Sequence, residues 1–169
     1  GQGAGVAMDS GQGNSIGIGT GGLVTAASGV AIVYTGSSQP LVTNDGTITG
    51  DVRNVLGMVN NGTFTPATAS SADVVNRGRI VLSSFTRPTL TGRLTQTASG
   101  TLVVAADFNN RRAGSLAVQG DAVLAGTVTP VITSVLPNIA IPVLVVSGTI
   151  SGGLSGAPSC LLYTSDAAD

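Results

Sequence analysis

One short pattern occurs three times in this chain, and its copies lie sixteen residues apart. Each copy is an apolar pair followed by Asn-x-Gly, although Thr43 replaces an aliphatic residue in the first: residues 42–46, 58–62 and 74–78. Two positions after each glycine comes an apolar side chain: Ile48, Phe64 or Ile80. A fixed period of this length indicates a supersecondary unit that is stacked on copies of itself.

A second marker, Gly-Thr-apolar, extends the pattern along the chain at irregular intervals. Its copies begin at Gly46, Gly62, Gly100, Gly126 and Gly148. Short strands bounded by Gly, Asn and Ser at such a period are typical of the coils of a parallel β-helix. We therefore predict an all-β fold, a right-handed parallel β-helix in which each coil is covered by the coils above and below it.

The composition agrees with this class of fold. The chain is 42% hydrophobic and only 9% charged, the opposite of a disordered composition despite its 25 glycines. It has no Glu, no Lys and no apolar stripe at helical spacing, and its apolar segments are rich in Val, Ile and Thr, which favour strands. The predicted buried aliphatic residues are Ile32, Val42, Ile48, Val59, Ile80, Leu102, Val118, Leu124 and Val128.

The repeated Asn-x-Gly is predicted to form a structural ladder at one corner of the coils. Its members are Asn44, Gly46, Asn60, Gly62, Asn76 and Gly78. Stacked Asn side chains can hydrogen-bond to one another along the axis of a stack. At a corner, Asn also tolerates a left-handed backbone, and Gly relieves a tight turn. We expect these six residues to have a structural role.

The last ten residues are set apart from the fold. Residues 160–169 resemble the translated read-through of a sequencing adapter, of the kind found at the ends of genes from metagenomic fragments, and such a tail is excluded from fold reasoning. The only cysteine, Cys160, belongs to this tail. Because the chain does not begin with Met either, we expect both of its ends to be truncated.

The C-terminal third carries a family resemblance. Residues 115–128 read Ser-Leu-Ala-Val-Gln-Gly-Asp-Ala-Val-Leu-Ala-Gly-Thr-Val, and Leu136-Pro137, Pro142-Val143-Leu144 and residues 148–152 follow. Residues 98–156 resemble the C-terminal passenger region of bacterial autotransporters, the type V secretion proteins. Gly114 and Ser115 stand where that family usually has Asp-Arg. The resemblance implies a surface-exposed β-helix, a segment that helps the passenger fold during export, and a downstream outer-membrane β-barrel as partner.

Four segments follow from these patterns. Residues 1–22 are interpreted as the Gly-rich, truncated start of the β-helix, and residues 23–108 as its regular coils. Residues 109–159 are interpreted as a C-terminal capping unit similar to an autochaperone, and residues 160–169 as the non-native tail. We expect the capping unit to shield a sheet edge that would otherwise template aggregation.

No catalytic, cofactor-binding or metal-binding residue is predicted. The sequence has no His, which excludes Ser-His-Asp and Cys-His nucleophile systems and His-based zinc sites within it. Asp45, Asp51 and Arg53 are the one close charged group in the regular coils. A carbohydrate-active enzyme would need them to converge with other acids in a groove, whereas an Asp in a corner often only stabilises a turn.

We therefore expect a structural fragment of an autotransporter passenger at the cell surface or outer membrane of a Gram-negative bacterium, or outside the cell, with no enzyme activity and no cofactor. A net charge of only −1 predicts no nucleic-acid partner. The alternatives are an adhesin or ice-binding β-helix and a carbohydrate-active enzyme fragment. Ice binding would need outward Thr at a constant period, and the Thr-x-Thr pairs are irregularly spaced, beginning at Thr47, Thr63, Thr89, Thr95 and Thr127.

Overall fold

A computed structural model describes residues 3–9, 13–82, 85–134 and 140–156 and the backbone of residues 161–165. All regular elements in these ranges are β-strands: β1 (Val6–Met8), β2 (Ser15–Ile18), β3 (Leu23–Tyr34), β4 (Leu41–Asn44), β5 (Thr47–Arg53), β6 (Gly57–Asn60), β7 (Thr63–Thr65), β8 (Ala69–Ser70), β9 (Asp73–Asn76), β10 (Arg79–Leu82), β11 (Thr89–Leu90), β12 (Leu94–Gln96), β13 (Thr101–Asp107), β14 (Arg112–Ala113), β15 (Leu116–Val118), β16 (Ala122–Leu124), β17 (Thr127–Ser134), β18 (Ile141–Val146), β19 (Ile150–Gly152) and β20 (Leu161–Ser165).

The strands form three sheets that wind into one β-solenoid of about six turns. Sheet A has the order β1-β3-β5-β7-β10-β13-β14, with β17 also paired to β13; sheet B runs β19-β16-β12-β9-β6-β4-β2, and sheet C runs β20-β18-β15-β11-β8. A complete turn passes from sheet B to sheet A and then to sheet C, as in β6, β7 and β8. The predicted all-β parallel β-helix is confirmed. Among the named strand pairs, only β13 with β14 is antiparallel.

The turns differ in length, yet their strands stay in register. Asn44 and Asn60 are hydrogen-bonded neighbours sixteen residues apart, Asn76 and Gln96 are twenty apart, and Asp121 and Thr149 are 28 apart. The additional residues lie in connections between strands, such as the β13–β14 hairpin, where Asp107 pairs with Arg112. The irregular spacing of the markers therefore reflects variable connections around a regular stack.

A column of inward side chains in sheet A shows how the core is built. The apolar residues two positions after Gly46, Gly62, Gly78, Gly100 and Gly126 pair in register from one turn to the next. All members are at most 3% exposed: Ile48, Phe64, Ile80, Leu102 and Val128. Full burial of each such side chain contributes about 1.5–3 kcal/mol. The last copy of the marker, at Gly148, differs because its strand, β19, belongs to sheet B.

Val59 is the one predicted core residue that faces outward. Met58, which is buried, pairs with Val42 and Val74 inside the solenoid, while Val59 pairs with Thr43 on the outer face and is half-buried. Side chains alternate across a strand, so a shift of one position exchanges the two faces. In an apolar pair such as Met58-Val59, composition alone does not assign the faces.

The predicted C-terminal unit, residues 109–159, continues the stack in its described part. Strands β15, β16 and β17 pair in parallel with β11, β12 and β13. The difference from the preceding turns therefore lies in length and not in winding. The stretch Leu136-Pro137 used in the family resemblance lies outside the described residues.

The two ends of the chain contain strands of the same solenoid. In residues 1–22, β1 and β2 already pair with β3 and β4, and residues 1–2 and 10–12 lie outside the described part. In the adapter-like tail, the backbone of Leu161–Ser165 forms β20, parallel to β18. Within the described ranges, the regular coils therefore begin earlier than residue 23.

Candidate functional site

The Asn residues of the repeat form a buried ladder inside the solenoid. Asn44, Asn60 and Asn76 end β4, β6 and β9, pair with one another in register and are 0% exposed. The Nδ2 of Asn44 donates to the Oδ1 of Asn60 at 2.7 Å, and the Nδ2 of Asn60 donates to the Oδ1 of Asn76 at 2.7 Å. The carboxamides thus tie three consecutive coils together along the axis.

A fourth rung, Gln96, was not predicted from the sequence. Its Oε1 accepts a hydrogen bond from the Nδ2 of Asn76 at 2.7 Å. Gln96 pairs with Asn76 in register, but its coil is four residues longer and its corner lacks Asn-x-Gly. The signal that could have identified it is the sequence Thr95-Gln96 shortly before the marker that begins at Gly100.

The carboxamides of Asn44 and Asn60 also satisfy backbone groups of the corner. The Nδ2 of Asn44 donates to the carbonyl of Thr63, and that of Asn60 donates to the carbonyl of Arg79, both at 3.0 Å. The N–H of Gly46 donates to the Oδ1 of Asn44 at 3.2 Å. Both amide hydrogens of Asn44 and of Asn60 are therefore used, which allows these polar side chains to be buried without an unpaired donor.

Apolar residues bound the ladder at both ends. Ile18 pairs with Asn44 at one end, and Leu124 pairs with Gln96 at the other. The Nε2 of Gln96 is buried and has no hydrogen-bond partner among the described residues. A buried donor without a partner costs about 1–3 kcal/mol, so the Gln96 end is the weak end of the ladder.

The backbone conformations expected at the corner are not those observed. In the described part of the chain, the non-glycine residues with positive φ are Asn54 and Arg111, so the ladder Asn residues are not left-handed. Gly46, Gly62 and Gly78 do not have positive φ either. The physical reason for glycine is space: a Cβ added to Gly62 would overlap the carbonyl oxygen of Gly46 in the coil below. Glycine permits this close approach of two backbones.

The charged group singled out in the sequence separates into two structural contacts. Asp45 lies in the exposed corner, where its Oδ1 accepts a hydrogen bond from the Nδ2 of Asn61 at 2.7 Å. Asp51 is 1% exposed and pairs with the Nη2 of Arg53 at 2.8 Å. Asp51 also accepts bonds from the Thr68 hydroxyl at 2.6 Å and from the Thr68 N–H at 2.8 Å. Asp45 therefore takes no part in the hydrogen-bond network of Asp51.

The electrostatics of Asp51 favour its ionised form. Burial raises its pKa, but the hydrogen bonds from the hydroxyl and N–H of Thr68 and from Arg53 together outweigh that effect, so the pKa lies below its ordinary value of 3.8. Its Oδ1 also accepts the N–H of Ala67 at 3.1 Å. A carboxylate that is fully occupied in this way is suited to holding the turn at residues 66–68, and poorly suited to donating a proton.

We expect Asp51→Asn to lower the free energy of unfolding by about 2 kcal/mol at pH 7, because an amide replaces an oxygen that accepts charge-assisted hydrogen bonds. The folded-state pKa of Asp51 is depressed, so its stabilisation is present above about pH 4 and is lost as the pH falls through that lower pKa. The difference between the two proteins should therefore shrink as the pH is lowered from 7 to below about 4. Urea unfolding across this pH range measures it.

Asp45→Asn is the matched control for this experiment, since it removes an exposed carboxylate from a neighbouring corner. Its effect should stay within about 0.5 kcal/mol. Asp107 and Asp121 also have lowered pKa values, chiefly through hydrogen bonds from the Ser134 hydroxyl and from the N–H of Thr149 respectively. Their contribution makes the free energy of unfolding fall at low pH to the same extent in wild type, Asp51→Asn and Asp45→Asn. A pH-independent difference between wild type and Asp51→Asn would contradict the assignment.

Outward threonines form two columns on sheet A. The first contains Thr47, Thr63, Thr101 and Thr127, and the second contains Thr25, Thr49, Thr65 and Thr129. The irregular sequence spacing does not scatter them, because the register is kept. However, Arg79 pairs between Thr63 and Thr101, and Val103 pairs with Thr129. The pairs at Thr89 and Thr95 lie at sheets C and B.

The second column forms part of a groove on the outside of the first coils. The groove has a volume of about 300 Å³ and is lined by Thr25, Ala26, Gly29, Thr49, Gly50, Thr65, Pro66, Ala67, Leu82 and Thr86. No ionisable side chain belongs to this lining. The threonine face is therefore neither uniform nor flat over its whole length.

Comparisons with known proteins add no family assignment: no protein-family model matches the chain, and no curated protein or solved structure matches it either. In the part of the chain that the structure describes, His, Cys, Asp and Glu side chains do not gather in a group of three or more that could hold a metal ion. The described residues also include no helix with the length and apolar character needed to cross a membrane.

Proposed function

We propose that this chain is a segment of the stem of an autotransporter passenger, exposed at the surface of a Gram-negative bacterium. The observation that carries the proposal is the continuous parallel stack from β1 to β19, tied internally by the Asn44–Gln96 ladder. Such a solenoid is quasi-one-dimensional, so it can extend away from a membrane by adding coils. A stem role requires no catalytic group. This agrees with Asp51, whose carboxylate is buried and bonded to Arg53 and Thr68.

The proposed partner is a downstream outer-membrane β-barrel of the same full-length protein. The proposed role of residues 109–159 is to aid the folding of the passenger during export. The resemblance of residues 98–156 to autotransporter passengers supports this role. The parallel pairing of β13 with both β10 and β17 also supports it. A terminal coil that folds early offers an unpaired strand edge on which the preceding coils add one after another.

The experiment displays residues 1–156 on a Gram-negative host, between an export signal and the β-barrel of a characterised autotransporter. We expect the displayed segment to resist added protease. Deletion of residues 114–156 should leave the protein exported and shorten the protease half-life of the remaining coils by about tenfold or more, because the seeding unit is gone.

The matched control removes residues 1–40 from the other end and leaves β4 to β19 stacked. Its protease half-life should remain close to that of the whole segment. Unchanged resistance after deletion of residues 114–156 would rule out the folding role. Equal loss of resistance in both deletions would show that only the total length of the stack matters.

The second candidate is an adhesin-type binding β-helix, and the threonine-lined groove is the observation in its favour. An ice-binding face is less well supported, because Arg79 places an exposed charge within the first threonine column. A carbohydrate-active enzyme is less well supported as well, because Asp51 is paired with Arg53 and Asp45 is bonded to Asn61 instead of both facing one groove.

A further inference from the structure

The floor of the groove is a column of threonine hydroxyl groups. Thr25, Thr49 and Thr65 pair in register across three coils, so their side chains repeat at the spacing of neighbouring strands, about 4.7–4.9 Å. None of the three hydroxyls makes a hydrogen bond with another described residue. By contrast, the hydroxyls of Thr101 and Thr127, in the first column, lie 3.2 Å apart and bond to each other.

One wall of the groove is a bulge in β3. Thr25 pairs with Thr49 and Val30 pairs with Asp51, so residues 26–29 lie opposite the single residue Gly50. Within the bulge, the Ser28 hydroxyl accepts a hydrogen bond from the N–H of Val30 at 3.2 Å. A Cβ added to Gly50 would lie 2.8 Å from the carbonyl oxygen of Gly29. Glycine at position 50 therefore permits the close approach of the two backbones in this wall.

A second wall is held by the buried Asp51 carboxylate. Pro66 and Ala67 line the groove, and the N–H groups of Ala67 and Thr68 donate to Asp51 at 3.1 Å and 2.8 Å. A charged group sealed from solvent thus fixes the turn that forms this wall. Both walls are therefore set before any ligand arrives, which reduces the entropy lost on binding.

The chemistry of the lining selects a neutral ligand that carries both hydroxyl groups and apolar faces. Thr25, Thr49 and Thr65 supply donors and acceptors, while the partly exposed Ala26 and Ala67 supply apolar surface. An ionic ligand would lose hydration without meeting an opposite charge in this lining. The volume of the groove, about 300 Å³, is large enough for a short segment of a linear ligand. Sugars have this combination of hydroxyls and C–H faces.

We propose that this groove binds a short neutral oligosaccharide, whose hydroxyls bond to Thr25, Thr49 and Thr65 and whose C–H faces contact Ala26 and Ala67. The inference goes beyond the stem role and does not depend on it. Residues of the sugar chain lie along the column, so that successive coils contact successive parts of one ligand. The affinity is modest, with Kd in the range of about 0.1–10 mM, since the site is open to solvent.

The test follows amide NMR shifts of the purified 169-residue chain during titration with maltotetraose, cellotetraose, laminaritetraose or tetragalacturonate. We expect at least one neutral tetrasaccharide to produce saturable shifts centred on Thr25, Thr49 and Thr65. Tetragalacturonate, which is anionic, should bind at least about tenfold more weakly. Absence of saturable shifts with every neutral probe, or stronger binding of tetragalacturonate, would overturn the proposal.

Thr49→Val tests the hydroxyl floor, because Val keeps the β-branched shape and removes the hydroxyl. We expect Kd to rise by about tenfold for the probe that binds. Thr43→Val makes the same chemical change on the outer face of sheet B, away from the groove, and should leave Kd unchanged. If Thr49→Val does not fold, as judged by its amide spectrum, Thr65→Val replaces it. Equal affinities of the floor variant and the Thr43→Val control would overturn the proposal, while the export experiment on the stem would stand unaffected.

Discussion

Replacing Gly62 with alanine is expected to lower the free energy of unfolding by about 4 kcal/mol or more, or to prevent folding. The added Cβ would overlap the carbonyl oxygen of Gly46 and would lie 2.8 Å from the carbonyl carbon of Asp45. These atoms belong to the backbone of the coil below, which cannot move aside without breaking its own ladder of hydrogen bonds. Close-packed interiors transmit such strain to their surroundings. Urea unfolding followed by circular dichroism measures the loss.

Gly17→Ala is the matched control for Gly62→Ala. Gly17 lies in β2, and a Cβ added there would meet no atom within 4 Å. Its φ is not positive, so alanine adopts the same backbone there and restricts the unfolded chain slightly. We expect a change within about 0.5 kcal/mol. Similar losses in the two variants would show that the close approach of the coils at Gly62 is not what requires glycine.

Asn60→Ala is expected to cost about 3 kcal/mol. This residue is a central rung: it accepts from Asn44 and donates to Asn76 and to the carbonyl of Arg79. Its removal leaves the Oδ1 of Asn76 and the carbonyl of Arg79 buried without this donor, and each unpaired buried group costs about 1–3 kcal/mol. The same urea experiment measures the effect.

Asn61→Ala provides the comparison for Asn60→Ala, because the two residues are adjacent and of the same type. Asn61 is exposed, and its Nδ2 makes one bond, to Asp45 at 2.7 Å. We expect this variant to lose less than about 1 kcal/mol. If Asn61→Ala proved as costly as Asn60→Ala, the internal ladder would not be the source of the stability assigned to it.

The architecture could be predicted from the sequence because the sixteen-residue repeat fixes which residues meet. Asn44, Asn60 and Asn76 recur at a constant interval, so their stacking follows from the period alone. Gln96 could not be found in this way, since its coil is four residues longer and its residue type differs. When the length of a coil changes, a fixed sequence period no longer identifies the hydrogen-bond partner, even though the strands stay in register.

The physical reasons behind the repeat were harder to predict than its existence. A glycine with positive φ and a glycine beneath a neighbouring backbone look the same in a sequence, and Gly62 is of the second kind. The prediction that Val59 is buried was wrong, and its neighbour Met58 is the buried residue; both are apolar, so the sequence alone does not distinguish them. Which residues oppose Gly50 depends on a bulge in β3, and the groove depends on that bulge. These features arise from contacts between coils that local patterns do not encode.

The most direct test of the stacked-coil account is a nuclear Overhauser experiment on the side-chain amides of Asn and Gln. The ladder predicts contacts that link Asn44 to Asn60, Asn60 to Asn76, and Asn76 to Gln96. It also predicts slow hydrogen exchange for the Nδ2 protons of Asn60, which are sealed inside the stack. Rapidly exchanging amides with no such contacts, or contacts that join Asn44 directly to Asn76, would contradict the account.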